Sequence, residues 1–268
     1  MAAPSFQHRT EVQLGFWTAW RFLTILPAPG TRGTGTEGIG SSLPFFPVVG
    51  LILGGALLGL DRLFDLFLPP FLTSALILVA MVILSGALHL DGFMDTCDGF
   101  AVRKSPEERL RIMSDSRVGG FGVAGACCLI LLKFAALFSL PDELRAAALL
   151  TAPSLSRWTA SCAILAFPSA KKTGLGQMYK EKASPWTAVI GTIIALAIAA
   201  GLWSYLGVAI VGGIGIIALL IGMALSNRLG GLTGDTYGAI IEISETCLLI
   251  GAVIIGKAGG TSWLDLSS

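Results

Sequence analysis

Seven apolar runs, at residues 43–60, 71–90, 118–140, 144–167, 185–205, 207–226 and 236–256, limit this chain's fold more than anything else in it. Each is close to the roughly 20 residues a helix needs to cross a hydrocarbon layer about 30 Å thick. A soluble core needs polar faces between its apolar stripes, and several of these runs have none. The expected fold class is therefore all-α: a polytopic integral membrane helix bundle of about seven spans, forming a single membrane-embedded domain over residues 1–268. Only 13% of the residues are charged, and the formal net charge of +1 leaves no basic surface for nucleic acid, so the lipid bilayer is the expected large-scale partner.

Before these runs, residues 12–26 carry Arg21 in mid-segment with Trp17 and Trp20 close by, which suits a helix lying in the membrane interface. Residues 31–42, rich in Gly, Thr and Ser, read as a loop with a solvated Glu37, and His8 likewise reads as solvated. No secretory signal is expected, since the first residues are polar and no small-residue cleavage site follows the first apolar segment. The five cysteines show no paired metal spacing and read as small core residues. Glycines in runs 43–60 and 207–226 suit close helix packing. With the N-terminus in the cytoplasm, most Lys and Arg fall on inner segments, leaving Arg62, Arg145 and Lys257 outside.

That orientation places the most acidic stretch, His89-Leu-Asp-Gly-Phe-Met-Asp-Thr-Cys-Asp-Gly-Phe100, on the cytoplasmic side. If the helix of run 71–90 continues through it, Asp91, Asp95 and Asp98 fall at i, i+4 and i+7 on one face. Like charges at that spacing repel, which points to a cation with hard oxygen ligands, Mg²⁺, Mn²⁺ or Ca²⁺. The plain alternative is an acidic loop past a span. His89 lies about half a turn off that face, a poor position for a metal ligand but open to substrate or backbone. Next, Ser105-Pro-Glu-Glu108 has the form of a capping box, predicting a short helix from Pro106 to about Ser114. That hairpin returns a fourth carboxylate, Asp115, toward the others, with Arg103, Lys104 and Arg117 available for phosphates. Arg109 and Arg111 are expected only to fix topology.

Two basic residues fall inside spans, Lys133 and Arg157. A buried charge in a bilayer costs about 2.5–3.5 kcal/mol on insertion scales, so each needs a reason. Snorkelling outward would suit Lys133; Arg157 calls for a carboxylate or a substrate. The last polar cluster joins the final two spans, with Gly230, Gly231, Thr233 and Gly234 in a flexible loop, Asp235 as a possible helix cap, and Glu242 and Glu245 inside the last span. Lys133, Arg157 and a metal are the candidate partners of these two glutamates.

Clustered carboxylates and basic groups at the cytoplasmic face suit metal-assisted phosphoryl transfer. Asp95-x-x-Asp98-Gly99 followed by Arg103 resembles the first half of the CDP-alcohol phosphotransferase motif, but the later Gly-x-x-x-Asp-x-x-x-Asp is missing. A closer resemblance is to the adenosylcobinamide-GDP ribazoletransferases, or cobalamin synthases. Their His-x-Asp-Gly-x-x-Asp-x-x-Asp-Gly is matched by His89, Asp91, Gly92, Asp95, Asp98 and Gly99, and their Met-x-Asp-Ser-Arg-x-Gly by Met113, Asp115, Ser116, Arg117 and Gly119. Their Leu-Gly-Gly-x-Thr-Gly-Asp-Thr-x-Gly-Ala is matched at 229–239, followed by Glu242. Lys133, Arg157, Gly174-Leu-Gly176 and Phe46-Pro-Val-Val-Gly50 are similar too.

The resemblance implies an enzyme that joins adenosylcobinamide-GDP to α-ribazole or its 5′-phosphate, with release of GMP, in a bacterial or archaeal cytoplasmic (inner) membrane. Mg²⁺ is the implied cofactor, Mn²⁺ a substitute, and Asp91, Asp95, Asp98 and Asp115 the implied ligands. Arg117, Lys133, Arg157 and Arg228 become candidates for phosphate contacts. His89, Gly230, Gly231, Thr233, Gly234 and Glu245 become candidates for the rest of the substrate, and the general base stays open among Asp115, Asp235 and Glu242. A homo-oligomer is compatible with all of this. Two other classes fit some of the same residues, a cation-coupled membrane transporter and a CDP-alcohol-type phosphotransferase.

Overall fold

The structure, a computed structural model, describes residues 4–29, 38–101 and 103–259, with side chains from Val12 onward except Leu175. His8, Arg32 and Glu37 are thus outside the described side chains. The chain is an integral membrane protein built of helices: α1 (Pro4–Leu23), α2 (Ile39–Ser42), α3 (Phe46–Asp65), α4 (Pro70–Leu84), α5 (Leu88–Phe100), α6 (Pro106–Ile112), α7 (Gly120–Ser139), α8 (Asp142–Ala166), α9 (Leu175–Lys182), α10 (Pro185–Trp203), α11 (Leu206–Leu229) and α12 (Gly234–Lys257). A 3-10 turn at Leu43–Phe45 fuses α2 to α3, so residues 39–42 are helical rather than loop. Among the described residues there is no strand, only an isolated bridge between Ser169 and Leu232.

Five stretches are long and apolar enough to cross a membrane: Ile39–Asp65, Gly120–Ser139, Pro185–Trp203, Leu206–Leu229 and Gly234–Lys257. A sixth arises if α4 and α5 are counted together, against the seven expected. Two physical reasons account for the difference. Run 144–167 forms α8, whose 25 residues reach ~37 Å and suffice to span. It is nevertheless polar, because it is the enclosed helix: Thr151, Ser154, Ser156, Arg157, Thr159 and Ser161 are all buried against its neighbours. Ser154 Oγ donates to Pro47 O at 2.8 Å, and Trp203 Nε1 donates to Thr151 Oγ1 at 2.7 Å. Gly54 lets α3 lie close, since a Cβ there would sit 2.6 Å from Leu149 O.

Run 71–90 breaks instead of continuing. Gly86 and Ala87 both take left-handed backbone angles (φ 65° and 57°), and Ala87 N–H reaches back to Val82 O at 2.9 Å. This is a Schellman-type helix end. Beyond it α5 departs at 86° to α4 and is not among the five single stretches long and apolar enough to cross a membrane. The three aspartates thus share a helix, but one separate from the span that precedes it.

The short α6 carries the expected capping box: Ser105 Oγ accepts from Glu108 N, and Glu108 accepts from Ser105 N. Arg109 departs from expectation. It is buried, donates to Gly99 O at 2.8 Å and Lys104 O at 3.1 Å, and lies 5.0 Å over the Phe100 ring. It therefore fastens α6 beneath α5. At the opposite end of the bundle Arg145 and Asp61 form a buried pair at 2.7 Å, with Arg145 also donating to Leu137 O at 2.7 Å. That pair ties α3, α7 and α8 together, and nothing in the reading of the apolar runs anticipated it.

Candidate active site

α5 and α12 cross closely because both are glycine-bearing at the crossing. A Cβ on Gly92 would meet Asp235 O at 2.7 Å, and one on Gly238 would meet His89 O at 3.0 Å. This crossing joins the two acidic clusters, which are far apart in sequence. Asp91 and Asp235 line one cavity of about 460 Å³, together with His89, Gly234 and Gly238. α1 and α9 close its other side through Thr18, Arg21, Phe22 and Tyr179.

The loop before α12 is set by its glycines. Gly230 (φ 77°) ends α11, and Gly231 (φ 153°) passes so near 168–170 that a Cβ would sit 2.6 Å from Ala170 N. Hydrogen bonds from Leu232 N to Pro168 O and from Ala170 N to Leu232 O pin it at 2.8 and 2.9 Å. Thr233, not Asp235, caps α12, exchanging bonds with Thr236 at 3.3 and 2.8 Å. Asp235 is thereby released to the cavity, where Lys171 approaches it at 3.8 Å.

The four aspartates implied as metal ligands are placed differently from one another. Asp91 is exposed at the cavity. Burial and the like charges of Asp91, Asp235 and Asp98 push the Asp95 carboxyl up to about 6. Asp98 is engaged elsewhere: its two oxygens accept from Gly119 N and Gly122 N at 2.8 Å each, satisfying the start of α7. A side chain at Gly119 would collide with that carboxylate, which explains the glycine there. Asp115 is held by Arg117 at 2.7 Å, whose hydrogen bonds draw its carboxyl down to about 2. In this structure Asp98 and Asp115 are thus engaged by other partners, while Asp91 and Asp235 line the cavity together.

Among the described residues no three His, Cys, Asp or Glu side chains converge as a metal cage. The donor chemistry still fits Mg²⁺, which commonly takes one or two carboxylates and completes its shell with water and substrate phosphates. Mutual repulsion around Asp95 is relieved by such an ion.

The charges inside the spans form a separate network in which cations and carboxylates pair with one another. Lys133 Nζ meets Glu242 Oε2 and Glu245 Oε2 at 2.6 Å each, and Arg157 pairs with Glu245. All are buried, Lys133 and Arg157 being each 3% exposed. The space beside Arg157 and Glu245 is only about 10 Å³. Lys133, Arg157, Glu242 and Glu245, expected at substrate or in catalysis, are therefore enclosed and paired with one another. Lys133 does not snorkel. Arg228 is exposed and lies 5.9 Å over Phe100, outside the cavity wall.

Three cavity residues hold buried polar atoms with no hydrogen-bond partner: Arg21 Nη2, both ring nitrogens of His89, and Tyr237 Oη. Each such atom costs about 1–3 kcal/mol. Burial and then the charge of Arg157 lower the His89 imidazole to about 3, so it is neutral. Arg21 and Tyr237 were missed as site residues. Tyr237 lay within a matched motif at a position the motif leaves free, while Arg21 gave only an interfacial signal.

Fold and site together define a polytopic membrane enzyme with an acidic cavity at the basic end of its bundle. The chain belongs to the cobalamin-5-phosphate synthase family, whose model matches residues 15–253. It is 40% identical over 242 residues to the adenosylcobinamide-GDP ribazoletransferase of Desulfitobacterium hafniense (strain Y51), covering 88% of this chain and 95% of that one. Proteins of the same name from Geotalea daltonii (34% identity, 90% and 97% covered) and Roseiflexus sp. (37%, 86% and 86%) are also similar. No solved structure matches it.

Proposed function

We propose that the chain joins adenosylcobinamide-GDP to α-ribazole or its 5′-phosphate and releases GMP, in the cytoplasmic membrane with its cavity facing the cytoplasm. The observation that carries this reading is the meeting of Asp91 and Asp235, from two distant motifs, in one cavity. Its relatives' shared name supports the substrate, and coverage of nearly their whole length supports transfer of the whole activity. Exposed basic residues at the same end, among them Arg103, Lys104, Lys172 and Arg228, support the orientation.

A ribose hydroxyl of the ribazole attacks the phosphorus on the cobinamide side of the diphosphate. A phosphorus–oxygen bond forms, the bond to the bridging oxygen breaks, and GMP leaves with that electron pair. Asp235 takes the hydroxyl proton. Of the three base candidates it is the one lining the cavity, since Asp115 is salt-bridged outside and Glu242 is enclosed. Asp91 and Asp95 would hold Mg²⁺, or Mn²⁺ in its place, which when bound offsets the charge of the diphosphate. Lys171 lies beside Asp235 and offers the departing phosphate a positive charge.

The test is GMP release by the purified protein in detergent, given both substrates and Mg²⁺. Asp91→Asn is expected to reduce turnover below detection with unaltered melting, and Asp235→Asn to reduce kcat by about 10²–10⁴. Wild-type protein that releases no GMP, or an Asp91→Asn enzyme with full activity, would contradict the proposal.

A further inference from the structure

The cavity contains recognition chemistry that the acidic motifs do not account for. Arg21 comes from α1, far from any matched motif, and among the described residues lining the cavity it is the one with a full positive charge. Its Nη2 is buried without a partner, as are both nitrogens of His89 and the hydroxyl of Tyr237. His89 and Tyr237 are 3% and 1% exposed, so bulk water does not explain them. Next to these groups stand Phe22 and Tyr179, ring centroids 5.2 Å apart.

We infer that Arg21, His89 and Tyr237 form a nucleotide subsite: Arg21 contacts the phosphate, His89 and Tyr237 the ribose or base edge, and the Phe22–Tyr179 wall the heteroaromatic base. This rests on the reading above for the reaction, not for the binding. Guanidinium nitrogens match phosphate oxygens as a fork. An imidazole's two ring nitrogens and a phenol's hydroxyl offer hydrogen bonds that suit hydroxyls and ring nitrogens. Aromatic rings offer apolar area and a π-face.

Size decides what stays out. A volume of about 460 Å³ lies within the ~300–1,000 Å³ of small-ligand pockets. A nucleotide fits there; a corrin macrocycle with its amide side chains and upper ligand does not. The corrinoid therefore remains at the mouth, while a nucleotide arm is threaded inward to Asp91 and Asp235. Two arms have this chemistry, the acceptor ribazole and the guanosine end of the donor.

Calorimetric titration of the full-length protein in detergent with GMP, and separately with α-ribazole 5′-phosphate, tests the assignment and tells the two apart. Arg21→Ala and Tyr237→Phe are each expected to weaken one of these ligands roughly tenfold or more. The KM for the corresponding substrate should rise in parallel and kcat change little, and Arg111→Ala, exposed on α6, should alter neither. The ligand affected identifies the occupant. Tyr237→Phe removes a single hydroxyl, so it serves if Arg21→Ala fails to fold. Both nucleotides binding a folded variant as tightly as wild type would overturn the inference. Absence of GMP release with binding intact would count against the reaction and leave the subsite standing.

Discussion

Two groups of buried polar side chains meet near His89, and they differ in how completely they are satisfied. On the membrane side, two cations and two carboxylates, Lys133, Arg157, Glu242 and Glu245, neutralise one another within hydrogen-bonding reach. On the cavity side, Arg21, His89 and Tyr237 leave polar atoms unpaired near Asp91 and Asp235. All of these residues are polar in an apolar setting, yet in the first group every charge has an opposite partner and one atom, Arg157 Nε, goes without a hydrogen bond, whereas the second leaves an imidazole, a phenol and a guanidinium nitrogen without one. A network whose charges cancel has no net charge left to offer a ligand. The difference teaches that burial of charge in a membrane protein marks a binding site only where the partners are missing.

Variants on the two sides should consequently separate stability from affinity. Lys133→Met leaves two glutamates without their shared cation and is expected to destabilise the fold by about 3–5 kcal/mol, read by thermal melting in detergent. Surviving enzyme should keep its KM. A changed KM at unaltered stability would move Lys133 back to the substrate. Asp98→Ala removes the acceptor of two helix-start N–H groups and should cost about 1.5–3 kcal/mol. If it instead abolishes Mg²⁺-dependent turnover at full stability, Asp98 is a metal ligand after all. Arg109→Ala, whose bonds go to two carbonyls, should cost on the order of 1 kcal/mol and leave the kinetics alone. Unchanged melting would return that residue to a topology signal.

The helices were legible because apolar length is a local property: helical segments occupy most of each of the seven runs, although five, or six with the bent pair, rather than seven qualify as spans. The break at 85–87 was not, since Ser85, Gly86 and Ala87 sit inside an unbroken apolar run without proline. The enclosed position of α8 was only hinted at by its Ser and Thr content, and its failure to read as a lipid-facing span is the mark of that enclosure. Sequence named Lys133 and Arg157 as possible partners of the glutamates, because an unpaired charge in a membrane demands one. It did not exclude a substrate, because pairing is a matter of distance. Asp98 and Asp95 look alike in a motif; the backbone N–H groups that claim Asp98 arrive from residues 119 and 122. Arg21 gave only an interfacial signal, since nothing periodic in α1 reveals that it lines the same cavity as α12.

The sharp turn between α4 and α5 has one more consequence. An acidic row carried straight along the bundle axis would have to be drawn through oil or left dangling beyond the lipid. Laid crosswise at 86° to α4, it becomes a shelf across the end of that helix. Under the proposed reaction, a bulky substrate need extend only one limb to that shelf, so the protein has no need to swallow the whole molecule.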